Sequence, residues 1–434
     1  MINFTASTNP EFLPKEEIRT LQDRLLREHL LYACSASPFY RSLFALNSID
    51  PSVVTLENLK DIPLTDRTVL GERNEDFLAV PMSMIVDIVL SSGTTGIPTS
   101  VMYSENDLQR LAYNEEISFR SCGIVPEDIA LLTCTVDRCF IAGLAYFSGI
   151  RRLGAAAIRN GLASPESHLE IIKRLQPTVL IGVPTFLLKL AKYLVSQGID
   201  PAVTAVRKLV CIGEPIRNAG LDFLRAGEEL EKIWGADVYS TYASSETITS
   251  FCECTAKAGG HLHPELAIVE VVNEAGEPLP IGETGEVVVT PLAIEGMPLV
   301  RFRTGDISFL IDEPCSCGRN SMRLGPILGR KKQMMKVKGT TVYPESIYSV
   351  LDAIPCVSEY FLTASSDYDL SDILKIHVAV NDSSCTQSMI VDRLQAILRV
   401  TPEVIITSEE TVNRWRNAGN SRKPVRFIDD RKEI

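Results

Sequence analysis

From residue 15 to 34 the chain reads KEEIRTLQDRLLREHLLYAC, with apolar side chains at helical spacing and charges between them, which predicts an amphipathic helix. A second helix is predicted in SENDLQRLAYNEEISFRSCG, where Ser104 stands as the N-cap and Gly123 closes the run. Just before it, the strand-like MIVDIVL stops in SSGTTGIPTS, residues 91–100, so this loop is predicted to join a strand to a helix. Strand-like and helix-like runs then alternate through IALLTCTV, SHLEIIKRL, TVLIGV, PTFLLKLAKYLV, KLVCIG, a helix ending near Gly235, and ADVYSTY. Such alternation implies a parallel, helix-covered sheet whose ligands sit beyond the carboxyl ends of the strands. Past residue 260 the texture changes to short β-rich runs, LAIVEVV and GEVVVTPL, separated by turn residues. From about residue 333 short strands and helices mix. The expected fold class is α/β: a large N-terminal domain over 1–332, with a β-subdomain at about 260–328, and a small α+β domain over 333–434.

Composition narrows the function classes. The 55 acidic against 43 basic residues give a net charge of -12, the wrong sign for a protein that wraps nucleic acid or anionic membrane. The start, MINFTASTNPEFLPKEE, lacks the basic and apolar regions of a signal peptide, and the run VLIGVPTFLLKLAKYLV is broken by Pro184, Lys189 and Lys192. A cytoplasmic protein acting on small molecules is expected. The 11 cysteines have no disulfide-framework spacing, so most are expected to be buried thiols. The loop SSGTTGIPTS by itself reads either as a flexible linker or as a phosphate loop, whose backbone N–H groups and hydroxyls could approach an anion. It lacks the glycine-lysine-serine/threonine ending of a Walker loop.

Four further stretches decide between these readings. YASSE (242–246), RFRTGD (301–306), LGRKKQMMKVKGTTVYPESI (328–347) and SRKPVRFIDD (421–430) follow the loop in order. Together they resemble the adenylate-forming superfamily of acyl-CoA synthetases, luciferases and peptide-synthetase adenylation domains; EPCSCGR and SSGTTG narrow the likeness to the phenylacetate-CoA ligase-like branch. The resemblance implies an ATP-dependent carboxylate-CoA ligase acting on an aryl or arylacetic acid. The carboxylate would attack the α-phosphate of ATP, releasing pyrophosphate, and CoA would displace AMP from the acyl-adenylate. Such chemistry needs positioning and charge neutralisation more than an acid or base.

Residue by residue, the resemblance makes Ser91, Ser92, Gly93, Thr94, Thr95 and Gly96 triphosphate contacts. It makes Glu246 the Mg²⁺ carboxylate, with Ser245 near the α-phosphate. Gly213, Glu214 and Pro215 in CIGEPIR would border the adenine and Tyr242 would stack on it, while Asp306 would hold the ribose hydroxyls and Arg330 the ribose-phosphate side. Lys423, with Arg426, would bridge the acid and the α-phosphate. Lys332 would be the hinge about which the small domain rotates, and Gly339 would line the pantetheine path. The chain departs from the family where Ile97 and Thr99 flank Pro98 in place of a loop lysine, and where Arg422 precedes Lys423. In TVDRCFIAG, Phe140 is the expected ring contact for the acid; Asp137 and Arg138 either meet a polar group on it or pair outside the pocket.

Cys254, His261, Cys315 and Cys317 would supply a closed tetrahedral set for structural Zn²⁺, with Cys252 and His263 as competing ligands. Other acceptors fit the same adenylation chemistry: a carrier-protein phosphopantetheine, an amine, or a product that keeps the AMP. A non-catalytic nucleotide-binding scaffold is the alternative of another class, and a homodimer is compatible with any of these.

Overall fold

The structure, a computed structural model, describes residues 9–90, 99–137, 139–337, 340–366, 372–382, 385–398, 401–416 and 425–431. The chain forms two compact units, Met1–Thr304 with Ser308–Ile327, and Gly305–Ile307 with Leu328–Ile434.

The larger unit begins with α1 (Lys15–Ala36), which turns Leu25, Leu26, Leu30 and Ala33 inward and its charges outward, and continues through α2 (Pro38–Leu46) and α3 (Arg67–Glu72). Strand β1 (Ile85–Leu90) then pairs antiparallel with β2 (Ser100–Ser104), Val89 opposite Val101, as a two-stranded sheet of its own. This corrects the sequence reading: residues 91–98, which lie outside the described residues, connect two strands of a hairpin and not a strand to a helix. Helix α4 (Glu105–Ser121) follows, and Ser104 is its N-cap as predicted, with Asp107 completing a capping box.

The main sheet contains β3 (Ile129–Leu132), β4 (Ala156–Arg159), β5 (Val179–Gly182), β6 (Lys208–Ile212), β7 (Asp237–Ser244) and β8 (Thr249–Cys252) in the order β4-β3-β5-β6-β7-β8. All neighbours are parallel except β8, which returns antiparallel along β7. The pleat sends alternate residues to opposite faces. Leu132, Ile181, Val210 and Tyr239 join a core shared with α4 and α5 (Ile141–Leu153). Leu131, Leu180, Leu209 and Val238 join a second core with α6 (Pro165–Leu175), α7 (Pro184–Ser196) and α8 (Arg225–Trp234). Covering both faces is what makes these strands read as continuous apolar runs.

The β-rich part follows as β9 (Gly260–His261), β10 (Ala267–Val272), β11 (Gly285–Pro291), β12 (Phe302–Ser308), β13 (Leu310–Ile311) and β14 (Arg323–Leu324). Strands β10 and β11 pair antiparallel with Val269 opposite Val289, and β13-β14-β9 form a small sheet.

In the smaller unit, β15 (Gly329–Arg330) pairs with Asp306 and Ile307 of β12. Strands β16 (Met335–Val337) and β17 (Thr340–Val342) form a hairpin. Helix α9 (Pro344–Asp352), β18 (Val357–Ser366), β19 (Asp372–Val380), α10 (Gln387–Leu398), β20 (Glu403–Ile406), α11 (Glu409–Arg416) and β21 (Phe427–Asp429) complete it, with sheet order β20-β19-β18-β21. Ile347, Leu362, Ile376 and Leu394 lie in its separate core. Cys356 and Cys385 form a disulfide across 29 positions, a pairing that the expectation of buried thiols missed. Among the described residues no helix is long and apolar enough to cross a membrane.

Candidate active site

Strand β6 ends at Ile212 opposite Thr241 of β7, so Gly213–Pro215 leave the main sheet at its carboxyl end, next to the last residues of β7, Tyr242–Ser244, which pair with β8. Gly213 turns there with φ 70°, a backbone for which glycine carries no Cβ penalty. Tyr242 stacks near Phe251 with ring centroids 6.4 Å apart. The chain then turns through Ser245–Ile248 before β8, and Tyr103 Oη donates to the Ser245 carbonyl at 2.8 Å.

Glu246 occupies this turn with only 3% of its surface exposed. Its Oε2 accepts the Ser244 hydroxyl at 2.9 Å, and its Oε1 lies 2.7 Å from Arg67 Nη2. The Arg67 contact is an ion pair by distance, but Oε1 receives no aligned hydrogen bond. A buried carboxylate with one oxygen facing a cation and not saturated by donors is a fit for a hard metal ion. Sequence reasoning missed Arg67, which carries no motif and sits in the first turn of α3.

Glu214 has a more local task than the sequence suggested. Its carboxylate accepts Thr185 N at 3.1 Å and Thr185 Oγ1 at 2.9 Å, and so caps α7, whose N-cap residue Val183 has no side chain able to do it. Phe140 is half-buried as the N-cap residue of α5. Asp137 is exposed, and its carboxylate accepts from Thr135 Oγ1. Arg138 lies outside the described residues.

In the smaller unit, Asp306 and Arg330 are register partners, with Arg330 Nε 3.4 Å from Asp306 Oδ1. Arg330 is 52% exposed, so this pair is a weak structural tie. Glu345 stands beside them: burial raises its carboxyl above the ordinary range, Arg330 lowers it and Asp306 raises it. Lys332 is exposed in a short 3₁₀ turn, five residues after Ile327 closes the other unit. Ser91, Ser92, Gly93, Thr94, Thr95, Gly96, Gly339 and Lys423 lie outside the described residues.

The thiol and imidazole cluster is assembled by turns. Cys254 leaves β8, Lys257 turns the chain back with φ 55°, and β9 delivers His261 against β14. Gly318 N donates to the Cys315 carbonyl at 3.0 Å, closing a knuckle around Cys317. The ligand atoms of Cys254, His261, Cys315 and Cys317 all lie within 4.8 Å of one another. Cys254 Sγ is 3.6 Å from Cys315 Sγ, and Cys317 Sγ is 3.3 Å from His261 Nε2. A tetrahedron with 2.3 Å metal–sulfur bonds has edges of about 3.8 Å, so the separations match. Ser321 Oγ holds His261 Nδ1 at 3.1 Å, leaving Nε2 aimed inward, and Ala256 N lies 3.4 Å from the Cys254 sulfur. Burial pushes the imidazole of His261 down to about 4, so it is neutral and able to ligate.

The competing pair is engaged elsewhere. Cys252 is buried beside Cys122. His263 Nδ1 meets Glu11 Oε1 at 2.5 Å and its Nε2 meets Ser118 Oγ at 2.9 Å. Glu11, which the sequence reading did not single out, also accepts from Arg319 Nε at 2.5 Å, and its carbonyl accepts from Asn320 N at 2.7 Å. The N-terminal segment is thereby strapped to the knuckle.

Comparison with known proteins places this arrangement in context. The family described as AMP-binding enzyme matches residues 45–292, and the AMP-binding enzyme C-terminal domain matches residues 339–431. The phenylacetate-coenzyme A ligase of Thermus thermophilus is 33% identical over 357 residues, covering 81% of this chain and 79% of that protein. The phenylacetate-coenzyme A ligase of Escherichia coli is 29% identical over 397 residues, covering 89% and 88%. Among solved structures, a 2-hydroxyisobutyryl-CoA ligase in the postadenylation state shares the fold with a TM-score of 0.86 at 21% identity, over 99% of this chain and 95% of that one.

Proposed function

The chain belongs to the AMP-binding enzyme family, and from that premise we propose that it is an ATP-dependent acid–CoA ligase that activates an aryl or arylacetic acid as its acyl-adenylate and passes the acyl group to CoA. The observation that carries this reading is the 33% identity, over 81% of the chain, with a phenylacetate-coenzyme A ligase.

In this reading the first step joins a carboxylate oxygen of the acid to the α-phosphorus of ATP as the bond to pyrophosphate breaks. In the second, the CoA sulfur attacks the acyl carbon and AMP leaves. Both reactants of the first step are anions, so the residues assigned to it are those that oppose charge. Lys423 and the loop Ser91–Gly96 are the proposed contacts to the acid and the phosphates. Glu246 would hold Mg²⁺, which when bound neutralises phosphate charge. Arg67 orients that carboxylate before nucleotide arrives, its guanidinium 2.7 Å away. Tyr242 and the Gly213–Pro215 backbone are the proposed adenine contacts, Asp306 and Arg330 the ribose-side pair, and Phe140 the ring contact for the acid. Lys332 and Gly339 are assigned to the thioester half-reaction.

The cluster of Cys254, His261, Cys315 and Cys317 would hold structural Zn²⁺, a proposal supported by three sulfurs and an imidazole nitrogen within 4.8 Å and an outer hydroxyl on the imidazole. With all four positions filled by protein, such an ion staples the β-rich part and leaves no position for substrate.

The test is product analysis with ATP, CoA and a panel of carboxylic acids. An aryl or arylacetic thioester with one AMP formed per turnover is expected. Formation of ADP, or of no thioester with any acid, overturns the reading.

A further inference from the structure

Ile248, two residues beyond Glu246 and 2% exposed, has φ 50°. A β-branched side chain occupies the left-handed region only where its surroundings hold it there. The holding group is Arg110 of α4, fully buried, whose Nη1 donates to the Ile248 carbonyl. Its Nε donates to Leu292 O at 2.7 Å, and its Nη2 donates to Leu266 O at 2.5 Å and to Thr249 Oγ1 at 3.3 Å. The Thr249 hydroxyl in turn donates to Thr247 O at 2.7 Å. The strained residue is therefore gripped at its own carbonyl and through both chain neighbours.

Two features set this guanidinium apart from ordinary packing. Among the described residues no carboxylate lies within ion-pair distance of it; Asp107 and Glu265 favour its charge from farther off, and its donors are taken by backbone carbonyls and one hydroxyl. Burial lowers its pKa to about 10, which leaves it protonated at neutral pH. A charge buried at the base of one turn, and bonded to the one residue of that turn with left-handed backbone, needs a reason beyond filling space.

We propose that Arg110 is a positioning residue for adenylation: by enforcing the left-handed Ile248 it fixes the Ser245–Ile248 turn, and with it the direction in which the Glu246 carboxylate points. The inference rests on the assignment of Glu246 to the metal. Without the Arg110 donors, Ile248 relaxes toward right-handed backbone, and the rotation is passed to the carboxylate two residues away.

The experiment uses the full chain and the variants Arg110→Lys, Thr249→Val and Glu246→Gln. Thr249→Val removes one acceptor of the guanidinium and the bond to Thr247 O while keeping shape, so it serves if Arg110→Lys does not accumulate as folded protein. Amide hydrogen exchange over residues 244–250 is measured without nucleotide or metal, beside the buried β5 strand as control. Arg110→Lys is expected to exchange about tenfold faster in the turn and Thr249→Val about threefold faster, with β5 unchanged. The Mg²⁺ half-saturation of pyrophosphate exchange should rise by the same factors, while the KM for the acid and thioester formation from supplied acyl-adenylate stay within about twofold. Unchanged turn exchange in both variants, or a parallel loss of both half-reactions with the melting temperature, overturns the inference. A Glu246→Gln protein with unaltered Mg²⁺ dependence overturns instead the assignment of Glu246.

Discussion

The resemblance carried by YASSE singled out Glu246, and the structure places that carboxylate, 3% exposed, in the turn between β7 and β8. Arg67, Arg110 and the Glu11–Arg319 pair at the knuckle were not singled out, since nothing local in the sequence distinguishes a buried guanidinium from an exposed one. The consequence of losing the carboxylate is direct: Glu246→Gln keeps the shape and removes the charge, and pyrophosphate exchange is expected to fall about 100-fold, the scale of removing one electrostatic contact to a charged transition state. A fall of less than threefold would deny Glu246 that role. His29 gives a stability prediction of the same grain. Its Nε2 lies 2.9 Å from Leu299 O while its Nδ1 has no partner, and burial pushes its pKa down to about 4. Above pH 6.5 both folded and unfolded chains hold it neutral. Between 6.5 and 4 the unfolded chain takes a proton that the folded one refuses, so stability falls as pH falls, by about 3 kcal/mol across that window. Denaturant midpoints measured from pH 7 to 4 should show His29→Gln, which keeps a donor for Leu299 O, losing correspondingly less than the parent; identical slopes would contradict the shift.

At the scale of elements, the alternating strands and helices of the main sheet were legible because burial on both faces writes unbroken apolar runs between turn residues. The hairpin β1–β2 was misassigned for the same reason. MIVDIVL is as apolar as a buried strand, yet Val86, Ile88 and Leu90 are 54%, 46% and 43% exposed, and periodicity does not say which sheet a strand joins. Strand β4, AAIR, escaped notice because four short residues carry no pattern. The disulfide between Cys356 and Cys385 was invisible because pairing depends on a Cα separation, 5.9 Å, that a spacing of 29 does not reveal. The knuckle was the reverse case: Cys315 and Cys317 announced it, and the turns after β8 chose Cys254 and His261 over Cys252 and His263. Metal analysis of the purified protein should find about one zinc per chain, and Cys315→Ser should lose the metal and several degrees of melting temperature while the folded fraction keeps its kinetics. Metal-free protein of equal stability would refute the site.

Across the whole molecule, the proposed reaction is divided between two sets of residues. Lys423 is the residue proposed for the first half-reaction, so Lys423→Ala should abolish carboxylate-dependent pyrophosphate exchange and spare thioester formation from supplied acyl-adenylate. Lys332→Pro, by stiffening the proposed hinge, should do the opposite. Equal loss of both half-reactions in both variants would dissolve the division. The division itself depends on an acyl-adenylate being formed before CoA takes part. It is tested most directly by exchange of labelled pyrophosphate into ATP with CoA left out. The expected result is exchange that requires an aryl or arylacetic acid and Mg²⁺ and proceeds without any thiol. Exchange that occurs only when CoA is present, or that ignores the acid altogether, would contradict it.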